Sequence, residues 1–156
     1  MRLTDYLIDQ NDLVWAELLR PWRWLLPAEF TVWMVNRFAE LILVFEDGSV
    51  HYLAVGDGEL KQIAENREDF FQKIDEGDNA NDWLMIPLVD HCVDAGLPLS
   101  PGECYAFRQL PVLGGDYTVD NVIVAKLAGY HEYAAIIHER IRDYPDGTKV
   151  VIKVVE

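Results

Sequence analysis

Asp47-Gly48, held between the apolar runs Leu41–Phe45 and Val50–Val55, constrains this chain more than any other feature of its sequence. A tight two-residue hairpin turn needs positive φ at its centre, which Asp-Gly supplies at little steric cost, so the pair predicts an antiparallel hairpin. Phe30–Val35 has the same Val and aromatic content and extends the hairpin into a β-meander. Gly56-Asp57-Gly58 then turns the chain toward a short strand at Leu60–Ala64.

Helical signals surround the meander. Thr4 and Asn11 or Asp12 can cap short helices, Leu13, Val14, Leu18 and Leu19 recur at helical spacing, and Pro21 closes that segment. Asn66 followed by Glu68 and Asp69 predicts a helix start, with acids at the positive dipole end and a run to about Ile74. Asp78 and Asn79 open another helix carrying Trp83, Leu84, Ile86 and Leu88; Pro87 kinks or divides it, and Gly96 ends it. Leu97–Gly102 is loop, and Cys104–Phe107 and Val122–Leu127 are strands. Tyr130, Tyr133, Ala134, Ile137 and Ile141 mark one buried helix stripe. After the Pro145-Asp146-Gly147 turn, Thr148–Val155 alternates as a strand. The expected fold is a single α+β domain over residues 1–156. Its C-terminal strand, helix and strand pack on a mixed sheet with helices on one face.

The chain carries 27 Asp and Glu against 13 Lys and Arg, a formal net charge of −14 on 156 residues. Such a field repels nucleic acid and anionic membrane and draws in a basic partner. Hydrophobic residues make up 51%, enough to bury a core, so the charge does not imply disorder. The N-terminus has Asp5, Asp9 and Asp12 where a signal peptide needs an apolar run, and no stretch is long and apolar enough for a membrane helix. Cys92 and Cys104 are outside any CxxC arrangement, and reduced buried thiols are the expected state, with a single disulfide the alternative. These features predict cytoplasmic residence.

No catalytic motif accompanies them. His131 and His138 are seven residues apart on the last helix, two turns from each other, without the i, i+4 spacing of zinc helices, so solvent exposure or packing is expected for them. Adjacent helical residues point about 100° apart, so His91 cannot pair directly with Cys92, and a dyad would need a partner such as His51. Asp75-Glu76-Gly77-Asp78-Asn79 lacks the order and distal Glu of a calcium loop. No catalytic residue, metal or cofactor is expected.

Binding features are plainer. Between Asp57 and Asp82 nine acids face only Lys61, Arg67 and Lys73. This stretch reads either as a solvated face or as a docking surface for a cationic protein, with Asp57, Glu59, Asp75, Glu76, Asp78 and Asp82 as the contacts. Trp22 and Trp24 flank Arg23 between Pro21 and Pro27, a pattern suited to an interface anchor for a partner or for a second copy in a homodimer. Gly114 and Gly115 are architectural residues of a loop whose Asp116 and Tyr117 reach outward. Two rival functions stand beside capture of a cationic protein: a self-associating adaptor using Trp22, Trp24 and the meander edge, and a small enzyme using carboxylates on a cationic substrate.

The segment from Cys104 to Val150 resembles the C-terminal domain of immunity proteins that protect bacteria from type VI secretion DNase effectors. The resemblance rests on the "Y-x-F" strand, Leu113-Gly114-Gly115, Asn121, the "H-E" helix and Pro145-Asp146-Gly147-Thr148. The hairpin at Asp47–Leu53 and NDWLMIP at Asn81–Pro87 are similar to upstream parts of that family. Characterised members carry a further N-terminal domain related to one in aspartyl-tRNA synthetases, and this chain departs from that pattern. The resemblance implies a non-catalytic protein that binds and neutralises a basic toxin, a nuclease effector.

Overall fold

A computed structural model describes residues 2–152 of the chain. The meander forms as the turn chemistry predicts: β1 (Phe30–Val35), β2 (Leu41–Phe45), β3 (Val50–Ala54) and β4 (Glu59–Ala64) make an antiparallel sheet in sequential order. Gly48 takes φ 88 in the hairpin turn, and Val44 pairs with Val50 across it. A register shift between Val32 and Met34 marks a bulge at Trp33. It lets both Trp33 and Met34 pack on the same side of the sheet.

β2 reads as a continuous apolar run because both its faces are covered. Leu41 and Leu43 pack with Leu53, Cys104, Ala106, Leu127 and Ala134, beneath α5 (Leu127–Ile141) and the two-stranded sheet of β5 (Glu103–Phe107) and β6 (Val122–Lys126). Ile42 and Val44 pack on the other side with Phe70, Trp83 and Leu84, from α2 (Arg67–Lys73) and α3 (Asn79–Leu84). A third cluster joins Phe38 to Tyr105 and Phe107 under α4 (Ile86–Asp94). A one-turn helix, α1 (Trp15–Leu18), and 3₁₀ turns at Leu3–Tyr6 and Arg20–Trp22 precede the meander.

The α+β class holds, with three differences in detail. Every strand pair is antiparallel, so neither sheet is mixed, and helices cover both faces of the larger one. Residues 148–152 form no strand, and residues 153–155 of that expected element lie outside the described residues. Alternation alone does not make a strand, which needs a ladder partner, and Thr148 instead donates its N–H to the Pro145 carbonyl to close the turn. Pro87 divides the central helix: Met85 stands at φ 50 between α3 and α4, and Pro87 enters α4 near its start, where a missing N–H costs nothing. Asn66 caps α2 through its side chain, which accepts from the Asp69 N–H at 2.8 Å.

The buried stripe of α5 is rotated from the expected one. Leu127, Tyr130, His131, Ala134, Ala135 and His138 face the core, while Tyr133 is exposed and Ile137 and Ile141 are half-buried. Hydropathy ranks histidine as polar, but a neutral imidazole whose ring nitrogens are both satisfied buries well.

Candidate functional site

The chain between β1 and β2 makes a tight reversal organised by Asn36. Its Oδ1 accepts from the N–H groups of Phe38 and Glu40, each at 3.0 Å, and Ala39 takes φ 65 within the turn. Its amide donates to Tyr52 Oη at 3.2 Å and to the Trp83 carbonyl at 3.1 Å, tying the turn to β3 and α3. This reversal carries Glu40 into the protein: the residue is 8% exposed, and Tyr52 donates its hydroxyl proton to Glu40 Oε1 at 2.8 Å. Burial pushes the Glu40 carboxyl up to about 7, against the opposing hydrogen bonds from Tyr52 and the Val55 and Gly56 backbone. The same burial, with Glu40 beside it, raises the Tyr52 hydroxyl well above its ordinary value.

Two buried histidines fix the turns around this carboxylate. His131 Nδ1 accepts from Trp22 Nε1 at 2.9 Å, and its Nε2 donates to the Ala39 carbonyl at 2.9 Å, one residue from Glu40. His138 Nε2 donates to the Val55 carbonyl at 2.6 Å, stacks on Trp22 and fills the space against Gly58. Burial lowers both imidazoles, His131 to about 4, so each is neutral near pH 7.

Glu40 and Tyr52 open onto a cleft of about 420 Å³. Trp83, Met85 and Leu88 wall it, Asp57, Glu59 and Asp82 add carboxylates, and Tyr117 closes one side by donating to Asp57 Oδ2 at 3.0 Å. The Tyr117 loop is held by Asn121, whose amide donates to the Gln109 and Asp116 carbonyls, each at 2.9 Å. Gly114 takes φ 93 there, and a Cβ on Gly115 would collide with the Gln109 carbonyl.

The structure thus brings together Asp57, Glu59, Asp82 and Tyr117 and separates them from the other expected contacts. Asp75, Glu76 and Asp78 are exposed in the connection from α2 to α3, away from the cleft lining, and Asp116 is exposed on its loop. Trp22 is fully buried, which corrects its expected place at an interface: α5 covers it, and its indole N–H is taken by His131. Trp24 is half-buried with the Arg142 guanidinium 5.4 Å from its ring, so the prolines around these tryptophans bend the chain inward instead of exposing it. Sequence reasoning missed Asn36, Glu40 and Tyr52. The one local signal was a polar interruption, Asn36-Arg37, between two apolar runs.

Other arrangements carry no chemistry. Cys92 and Cys104 are free and buried, and burial pushes the Cys92 thiol up to about 11, so it supplies no thiolate near pH 7. His51 lies against Ser49 and Phe45 on β3 rather than near Cys92. Asp47, Ser49 and His51 are hydrogen-bonded in a row, but Ser49 donates to Asp47, so its proton is directed away from the imidazole that a nucleophilic serine would need. Among the described residues no three His, Cys, Asp or Glu side chains converge as metal ligands, and no helix is long and apolar enough to cross a membrane.

Only two ion pairs occur among the described residues, Lys73–Asp69 at 2.9 Å and Arg142–Asp143 at 3.8 Å, so most of the acidic surplus has no local counter-charge. No curated protein matches the chain. Residues 64–138 match the sequence family described as T6SS immunity protein Tdi1, C-terminal. The match begins after the Asp47–Leu53 hairpin and ends before Pro145-Asp146-Gly147-Thr148, and it takes in the Asn81–Pro87 and Leu113–Asn121 motifs. It supplies the α3, α4 and Tyr117 sides of the cleft, while Glu40, Tyr52, Asp57 and Glu59 come from the preceding chain. Over residues 64–138 the chain is therefore similar to the T6SS immunity protein Tdi1 C-terminal family.

Proposed function

We propose that the protein is an immunity protein of the type VI secretion class that binds and neutralises a cationic effector toxin, without catalysing a reaction. The family match carries this reading, and the unpaired acidic surface supports it. A toxin that acts on nucleic acid needs a basic cleft for its polyanionic substrate, and an acidic protein meets such a surface with favourable long-range electrostatics. A nuclease is therefore the effector class the charge fits best. Asp57, Glu59, Asp82 and Tyr117 form the contact face, and Asp75, Glu76, Asp78 and Asp116 add to the steering field.

The test is co-expression with the toxin encoded beside it. Restored growth and co-purification of the two chains are expected. A toxin that kills equally well with or without this protein, and forms no complex with it, would overturn the proposal.

One observation favours a second reading. A carboxyl raised to about 7 at the base of a cleft is a suitable general base for a small cationic substrate. Turnover assays of the isolated wild-type protein on small cationic substrates separate the readings: turnover that Glu40→Gln abolishes would favour the enzyme, and growth protection without any turnover would remove it.

A further inference from the structure

We infer that the Glu40 cleft is a seat for one arginine side chain presented by the partner protein, with Glu40 as its buried counter-charge and Asp57 as its contact at the rim. The inference rests on the immunity reading only for the source of the arginine; the cleft itself carries the chemistry. Glu40 is more than nine-tenths buried, opens onto the cleft, and has no cation within ion-pair distance among the described residues. A buried carboxylate without a counter-charge is costly, and a cation delivered to it recovers that cost on binding.

The walls select the kind of cation. Trp83, Tyr52 and Tyr117 present aromatic surface around the carboxylates, which suits a planar, weakly hydrated guanidinium better than a compact ammonium. Met85 and Leu88 offer apolar contact for an aliphatic stem. Lys61 is the only Lys or Arg in the lining; it is exposed on β4 and makes no ion pair among the described residues. The two larger concavities lack this combination. One, of about 690 Å³, lies between Pro27–Glu29 and the β2–β3 turn with no buried carboxylate, and the other, of about 1010 Å³, runs along the end of α5 and includes Arg108 and Arg142.

The experiment is an NMR titration of the full chain with arginine methylamide, using lysine methylamide and the neutral isostere citrulline methylamide as controls. Saturable shifts clustered at Asp57, Trp83 and Tyr117 are expected with arginine, weaker ones with lysine and none with citrulline. Glu40→Gln should weaken arginine binding at least tenfold, and so should Asp57→Asn, an exposed position whose change leaves the core intact. Asp75→Asn with Asp78→Asn should leave it unchanged. Equal response to citrulline, or full affinity in both Glu40→Gln and Asp57→Asn, would overturn the inference. Shifts scattered over the whole acidic surface would do the same. Growth protection distinguishes the two failures: wild-type protein that protects but seats no arginine sinks this inference alone, whereas one that seats arginine but never protects sinks the immunity reading.

Discussion

Glu40 and His131 are both buried ionisable side chains, and their protonation moves stability in opposite directions. The Glu40 carboxyl stands at about 7 in the fold against an ordinary 4.5, so the native state binds its proton more tightly than the unfolded chain does. Its contribution is fully present below pH 4.5 and is lost as pH rises toward 7. Glu40→Gln should therefore leave stability unchanged near pH 4.5 and raise it by about 1–3 kcal/mol at pH 8, by urea unfolding. His131 is lowered to about 4 from 6.5, so its contribution is present above pH 6.5 and is lost as pH falls toward 4. A cationic imidazole would no longer accept the Trp22 N–H. His131→Gln should flatten the loss of stability between pH 6.5 and 4.5, by about 2 kcal/mol across that window, in the same assay.

At the scale of elements, α5 holds the site together by placing two histidines against two turns. The turn from β3 to β4 depends on Gly58 for two reasons: it stands at φ 72, and a Cβ there would collide with the His138 ring. Gly58→Ala should cost roughly 2 kcal/mol or more in urea unfolding, from backbone strain and displacement of a buried ring. His138 Nε2 would then lose its 2.6 Å bond to Val55, and the imidazole resonances should report it. Gly48→Ala removes only the φ preference, because nothing lies within 4 Å of its Cβ position, and should cost less than Gly58→Ala. A Gly58→Ala protein as stable as wild type would show that α5 does not clamp this turn.

For the whole molecule the decisive quantity is the uncompensated charge. With two ion pairs among the described residues, the surface carboxylates act together as a field rather than as local bridges. Association with a basic toxin should lose at least about tenfold in on-rate from low to high ionic strength, with a much smaller change in off-rate, by stopped-flow fluorescence. Neutralising Asp75, Glu76 and Asp78 together should slow association and leave the dissociation rate close to wild type, because these residues are exposed and away from the cleft. An on-rate indifferent to salt would show that the surplus charge has no part in partner capture.

Much of the fold was legible in the residues because its signals are local. Asp47-Gly48 sets a turn by its own φ preferences, Asn66 caps α2 through its own side chain, and Pro87 must stand near a helix start. The acids of the candidate surface were visible too, since an excess of charge is a property of composition. The floor of the site was not. Asn36, Glu40 and Tyr52 come together only when β1, β2 and β3 pair and α3 closes over them, and nothing in a single segment records that meeting. Tertiary packing also decided that Trp22, His131 and His138 are interior and that residues 148–152 find no strand partner. Whether a polar side chain is buried depends on the hydrogen bonds that distant elements bring to it, and a strand exists only where another edge receives it.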